Sequence, residues 1–179
     1  MFEKKKVLSA LKEIVIAGLA SFVLYLFIMF YIGNFMSETS QELRFAVAKI
    51  AMLLFFTFSY GFVHMRKRKE DYMLNMSADA PFDFKGEYIG FLKTEGKYIL
   101  AIFVILAVIA EVSLFVWPLI SSKPGNPIYT ALAPIFMIGA LIENIPIIRS
   151  VLPIALDIPL MALFVVFRKR SIYKEYKKK

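Results

Sequence analysis

Apolar residues fall in long blocks along this chain, separated by short polar stretches. The first block, Ile14–Gly33, is about 20 residues, and at ~1.5 Å per residue a helix of that length matches the hydrocarbon thickness of a bilayer. The second runs from Phe45 to Val63, with Lys49 near its start placed to snorkel to the headgroups. The third runs from Tyr98 to Ile120, with Trp117 near its far end as an interfacial anchor. Two further blocks, Ile128–Ile148 and Val151–Phe167, are apolar but interrupted by Pro134, Gly139, Pro146, Pro153 and Pro159. The pattern predicts helices throughout, several of them long enough to cross a membrane.

The polar stretches mark where these helices begin and end. Thr39-Ser40-Gln41-Glu42 has the T-x-x-E capping-box spacing, so the second helix should start just after Thr39. Arg66-Lys67-Arg68-Lys69 should end the second span sharply. Asn75–Pro81 reads as a break. From Glu87 to Lys97, Tyr88, Ile89, Phe91 and Leu92 alternate with charges, which predicts a short amphipathic helix on the membrane surface leading into the third span. Pro124, Gly125 and Pro127 predict a tight turn after it.

Composition agrees with a polytopic membrane protein. Hydrophobic residues are 59% of the 179, and the mean hydropathy is +0.66, against ~45–50% apolar residues in a soluble domain. The amino-terminal lysines before an apolar block resemble a signal peptide. The block is long for an h-region and no small-x-small site follows it, so it reads as a retained first span. There is no cysteine and a single histidine, His64. That excludes disulfides, thiolate metal sites and cysteine nucleophiles, and no cofactor is expected. Gly-rich phosphate loops, G-x-S-x-G and H-E-x-x-H are absent, and the aqueous segments are short, so an enzyme, for example one acting on lipid, is the minor alternative.

The net charge of +8 changes the topology rather than the function. In a soluble protein it would suggest nucleic acid. Here the cations flank apolar blocks, where orientation in the membrane and anionic headgroups explain them better, and no nucleic-acid partner is expected. Four Lys precede the first block, seven Lys or Arg lie in Met65–Lys97 and seven in the tail from Arg168, whereas the Asn34–Arg44 and Ser121–Pro127 stretches carry one each. The positive-inside rule then puts both termini and the middle segment in the cytoplasm, in the plasma or cytoplasmic membrane. That requires an even number of crossings.

The expected fold is therefore an all-α integral membrane protein. It is a four-transmembrane-helix bundle with spans near 14–33, 45–63, 98–120 and 151–167 in a single domain. Block 128–148 would be an additional non-spanning outer element, re-entrant or interfacial, packed on the bundle, because irregular backbone at membrane depth needs protein or water around it.

Candidate chemistry sits in two places. Glu111 lies near the midplane of the third span, where an ionised carboxylate is costly, so it should be protonated, paired or wet. It could bind a proton or cation. The favoured reading is structural, a hydrogen bond to a hydroxyl such as Ser21, Tyr25, Thr57 or Ser59. Glu143, Arg149 and Asp157 share the proline-rich region, where proline frees a carbonyl one turn back. They could line an ion or polar-substrate path, although Arg149 neutralising the acids is the favoured reading. Arg66, Lys67, Arg68 and Lys69 could contact anionic lipid or an acidic partner, and more simply orient the chain. His64 beside them reads as a residue at a helix end. Ala17, Gly18 and Ser21 in the first span, and Ala48, Ala51, Ser59 and Gly61 in the second, allow close helix packing within the chain or between copies. The leading function is a non-enzymatic binding or accessory subunit, or a small self-associating module. The alternative is a small transporter or channel.

Overall fold

A computed structural model of the chain describes residues 3–35, 41–76, 81–121, 126–128, 132 and 146–177. These form helices and no strand. Helix α1 is Lys4–Phe35, α2 is Gln41–Leu74, α3 is Phe84–Phe91, α4 is Lys97–Ile120 and α5 is Pro146–Tyr176. A π-helical turn, Leu92–Gly96, joins α3 to α4 without a break, so 84–120 is one continuous rod. With α3 counted into that rod there are four long helices, which fit a helical bundle. Three of them, Lys4–Ile28, Ala46–Leu74 and Phe84–Ile120, are long and apolar enough to cross a membrane.

The helices alternate in direction. Glu13 near the start of α1 meets His64 and Arg68 near the end of α2, and only five residues join the two helices at the other end, so they are antiparallel. Phe56 touches Phe103 while His64 touches Phe91, which sets α4 antiparallel to α2. Phe58 meets Phe164, Arg168 lies over Phe62 and Lys69 pairs with Glu175. Helix α5 is therefore parallel to α2. The start of α1, the end of α2, α3 and the end of α5 all gather at one end of the bundle, and every described basic cluster is there. From that end α4 rises ~36 Å and α5 descends ~33 Å to Arg168, so α4 ends and α5 begins at the opposite end.

The core is one continuous cluster built from one stripe of each helix. Ala10, Ile14 and Ala17 face in from α1, Phe56, Tyr60 and Met65 from α2, and Ile99, Ile102, Phe103 and Ala110 from α4. Met161, Ala162, Val165 and Ile172 complete it from α5. The i, i+3/i+4 spacing puts each set on one helix face. The most extensive helix contact is α2 with α5. It is close because Gly61 has no side chain: a Cβ there would lie 2.9 Å from the Phe164 carbonyl carbon and 3.1 Å from the Val165 amide nitrogen.

The outward faces are apolar too. Phe27, Phe30, Phe115 and Leu119 are among many large hydrophobics turned outward, with Phe115 77% exposed. A water-soluble monomer does not present so much contiguous apolar surface, whereas lipid tails would solvate it. The protein is membrane-embedded.

The Arg66–Lys69 run ends the apolar block while the helix continues to Leu74, because Arg and Lys are good helix formers. One boundary differs from the sequence expectation. The amphipathic helix expected from Glu87 instead starts at Phe84, where the Asp83 carboxylate accepts a 2.9 Å bond from the Gly86 amide. It is docked on α5 by a run of rings: Tyr173–Phe82 at 5.6 Å, Phe82–Phe84 at 6.4 Å and Phe84–Phe167 at 5.5 Å. The last residues of block 128–148, from Pro146, belong to α5. Leu132 packs against the core cluster, and residues 129–131 and 133–145 lie outside the described part.

Candidate functional site

The most concentrated polar chemistry lies at the basic end, where α1, α2 and α3 meet. Glu13 has 0% of its surface exposed and His64 3%. The Glu13 carboxylate accepts from His64 Nδ1 at 2.9 Å through Oε2. Through Oε1 it accepts from Arg68 Nη1 at 2.8 Å and from Ser9 Oγ at 3.0 Å. Arg68 Nη1, which only donates, also lies 3.1 Å from Nδ1, but the carboxylate is nearer and only accepts, so the His64 proton is assigned to Nδ1. Arg68 Nη1 also reaches the His64 carbonyl at 3.2 Å. The His64 ring is stacked on Tyr60 at 5.6 Å and meets the Phe91 ring edge-on at 5.3 Å. Two helices thus share one buried carboxylate, with α3 packed on the His64 ring, and charge-assisted bonds of this kind are about twice as strong as neutral ones.

Beside this cluster is a cavity of 460 Å³. Its walls include His64, Arg68, Asp71, Glu87, Thr94, Glu95 and Lys169. Nδ1 of His64 is committed to Glu13, so Nε2 is the ring nitrogen left for the cavity. It has no partner among the described residues. Lys169 is held by Glu87 at 2.6 Å and lies over the Tyr72 ring. The Tyr72 hydroxyl donates to Glu87, and Thr94 Oγ1 donates to the Gly90 carbonyl. Thr94 and Glu95 sit on the π-helical turn. Such turns often mark functional sites, because they displace side chains from the α-helical register.

The chain matches no protein-family model, no curated protein and no solved structure.

Of the residues singled out from sequence, only some have described side chains. Glu111 is half-buried on α4 and engaged rather than free. Two of the four hydroxyls offered as its donors are used locally: Ser21 donates to the Ala17 carbonyl at 2.8 Å and Thr57 to the Leu53 carbonyl at 2.9 Å. Glu143 lies outside the described residues. Arg149 is on the first turns of α5, with its side chain outside the described part. Asp157 is fully buried, and neither carboxylate oxygen has a hydrogen-bond partner. It lies ~16 Å along α5 from Arg168, deep in the bundle. Of the basic run, Arg66 and Lys67 are exposed, Arg68 is turned in to Glu13, and Lys69 pairs with Glu175 at 3.1 Å.

Sequence reasoning missed Glu13, which reads as one more charge in a basic lead-in, and took His64 for a simple helix-end residue. A signal was present. Glu13 lies 25 residues before Glu38 and His64 26 residues after it. A helical hairpin turning in that loop therefore brings the two level.

The only metal-ligating types available to such a cluster are His, Asp and Glu, and among the described residues no three of them are grouped as a metal site. The site is a buried ion cluster beside a polar cavity. It can accept hydrogen bonds and hold charge.

Proposed function

We propose that the chain is a four-crossing membrane protein with both termini in the cytoplasm, acting by binding rather than catalysis. It serves as an accessory subunit or small self-associating module whose cytoplasmic end is the contact region. The observation that carries this reading is the cavity beside Glu13, His64 and Arg68, at the end where the basic segments converge. Its hydroxyls are tied to the protein's own acceptors and none is poised on His64 Nε2, as a nucleophile would be. Binding needs only the acceptors and charges on the walls.

The crossing number draws support from the alternation of α1, α2, α4 and α5. That α4 ends and α5 begins at the same end is consistent with 128–148 as a re-entrant or interfacial element. Val151–Phe167 within α5 is the fourth span. Single cysteines in this cysteine-free chain test it. Lys177→Cys should resist a membrane-impermeant maleimide in intact cells and Ser122→Cys should react. Labelling of Lys177→Cys from outside sinks the four-crossing topology.

Binding is tested by purification in a mild detergent. A defined oligomer or a stoichiometric partner is expected. A monodisperse monomer without a partner, with the ion cluster intact, overturns the reading.

One observation favours a second reading, a small transporter or channel. Asp157 is an unpartnered carboxyl at the depth where such proteins carry a proton or cation. That reading predicts a proton- or cation-dependent flux in proteoliposomes that Asp157→Asn abolishes while the protein stays folded. If wild-type vesicles carry no flux across ions and pH, Asp157 is a structural burden. Asp157→Leu should then raise the unfolding temperature, since an apolar side chain removes the buried polar group.

A further inference from the structure

Helix α5 carries a second feature on the face away from the ion cluster. Pro159, Leu163, Arg170 and Lys174 follow one another at steps of four and seven residues, so they form one stripe along the helix. The loop before α3 and α3 itself lie against this stripe and leave two hollows. The outer hollow, 330 Å³, is lined by Phe82, Phe84, Arg170, Tyr173 and Lys174. The inner one, 350 Å³, is lined by Phe84, Lys85, Tyr88, Pro159, Leu160 and Leu163. They share Phe84, so they lie next to each other on either side of its ring. The outer hollow is aromatic and cationic, the inner one aliphatic with Lys85 at its rim.

Some cations of the basic end are neutralised within the protein. Lys69 is paired with Glu175, Lys169 with Glu87 and Arg68 with Glu13. Arg170, Lys174 and Lys85 are exposed and have no ion-pair partner among the described residues. Two unneutralised cations therefore stand at the outer mouth of a groove that becomes apolar with depth. From Arg170 to Pro159 the groove runs ~16 Å along the helix, close to one leaflet of a ~30 Å core.

We propose that this groove is a binding site for one anionic phospholipid of the surrounding bilayer. The phosphate lies between Arg170 and Lys174, framed by the Phe82 and Tyr173 rings. One acyl chain runs past Phe84 along Tyr88, Leu160 and Leu163 towards Pro159. Charge complementarity selects the headgroup and the apolar depth selects a lipid over a soluble anion or an acidic peptide. Arg170 presents a planar fork that suits phosphate oxygens. The site is distinct from the Arg66–Lys69 run, where two of the four cations are already paired within the protein. The inference rests on the membrane reading above, but not on which side of the membrane the basic end faces.

The test uses the full chain purified in a neutral detergent. Phosphatidylglycerol should raise the unfolding temperature and remain as one retained lipid per chain by native mass spectrometry. Phosphatidylcholine and inorganic phosphate should do neither. Removing both cations, Arg170→Gln with Lys174→Gln, should weaken phosphatidylglycerol binding about thirtyfold. Leu163→Trp, which fills the groove, should also weaken it, and Arg66→Gln with Lys67→Gln should leave it unchanged. Equal stabilisation by phosphatidylcholine, an equal effect of phosphate alone, or undiminished binding by the double variant overturns the proposal. A second copy of the chain displaced by the double variant would mean a protein interface instead and also overturns it.

Should the double variant fold poorly, a Tyr88→Trp reporter in a Trp117→Phe background settles the matter. Its fluorescence should be quenched by phosphatidylglycerol brominated on the acyl chain, and absence of quenching overturns the site. Failure here with Lys177→Cys still protected in cells removes the lipid site alone. Labelling of Lys177→Cys from outside removes the four-crossing reading whatever the lipid does.

Discussion

Glu13→Ala should destabilise the protein by about 3–5 kcal/mol, as expected when one member of a buried ion cluster is removed. The reason is what the substitution leaves behind. His64 Nδ1 would lose the carboxylate it meets at 2.9 Å. Arg68, 32% exposed on its side chain, could swing outward, but Ser9 and His64 could not. Glu13→Gln keeps the oxygen acceptor and the shape and should cost less than half as much. Replacing the cluster as a unit, Glu13→Leu with His64→Leu and Arg68→Met, should recover much of the loss, because the desolvation of the charges disappears with them. Thermal or denaturant unfolding in detergent measures all three. If Glu13→Ala costs no more than Glu3→Ala, whose carboxylate pairs with Lys6 in an exposed bridge, the cluster is not what joins α1 to α2.

The second large effect is expected at Gly61. A Cβ there meets backbone atoms of Phe164 and Val165 on α5 at 2.9–3.1 Å, and backbone cannot rotate aside as a side-chain tip could. Gly61→Ala should cost about 1–3 kcal/mol, the range for overpacking, and Gly61→Leu more. In a soluble helix, alanine would recover about 1 kcal/mol of propensity. In a membrane the helices persist after they separate, so that gain appears on both sides of the equilibrium and the clash alone remains. Gly18 makes a control, since a Cβ there has nothing within 4 Å, and Gly18→Ala should be near neutral. A Gly61→Ala protein as stable as wild type would mean that α2 and α5 do not approach as described.

The parts of the fold set by local pattern were legible in the sequence. The blocks at 14–33, 45–63 and 98–120 lie inside α1, α2 and α4, and α2 begins at Gln41, two residues after Thr39. The chemistry at the basic end was not legible in the same way. Glu13 is separated from His64 by 51 residues and from Arg68 by 55, and nothing in the neighbourhood of either marks them as partners. Charge runs beside apolar blocks look alike whether they face lipid, water or each other. Only the helix register decides that Arg68 turns inward while Arg66 and Lys67 turn out. The π-helical turn was equally hidden, because Leu92–Gly96 carries the same mixed composition as an ordinary amphipathic turn. Conversely, Glu111 stood out for burial cost, and Glu143 and Asp157 for apolar, proline-rich surroundings, which are statements about one stretch of chain at a time. They identified Asp157 as buried but could not supply its neighbours in the fold.

The parallel pairing of α2 with α5 also sets an order of assembly. Gly61 and Phe164 are about 100 residues apart, which at ~5–20 residues per second is roughly 5–20 s of synthesis. Throughout that interval the α2 face around Phe58, Gly61 and Phe62 lacks its α5 partner, although α1 is available from the start and α4 from part-way through. The bundle is therefore completed from its last helix, and the nascent chain passes through a three-helix stage whose open seam is the surface a chaperone, an insertase or a second nascent copy would meet first.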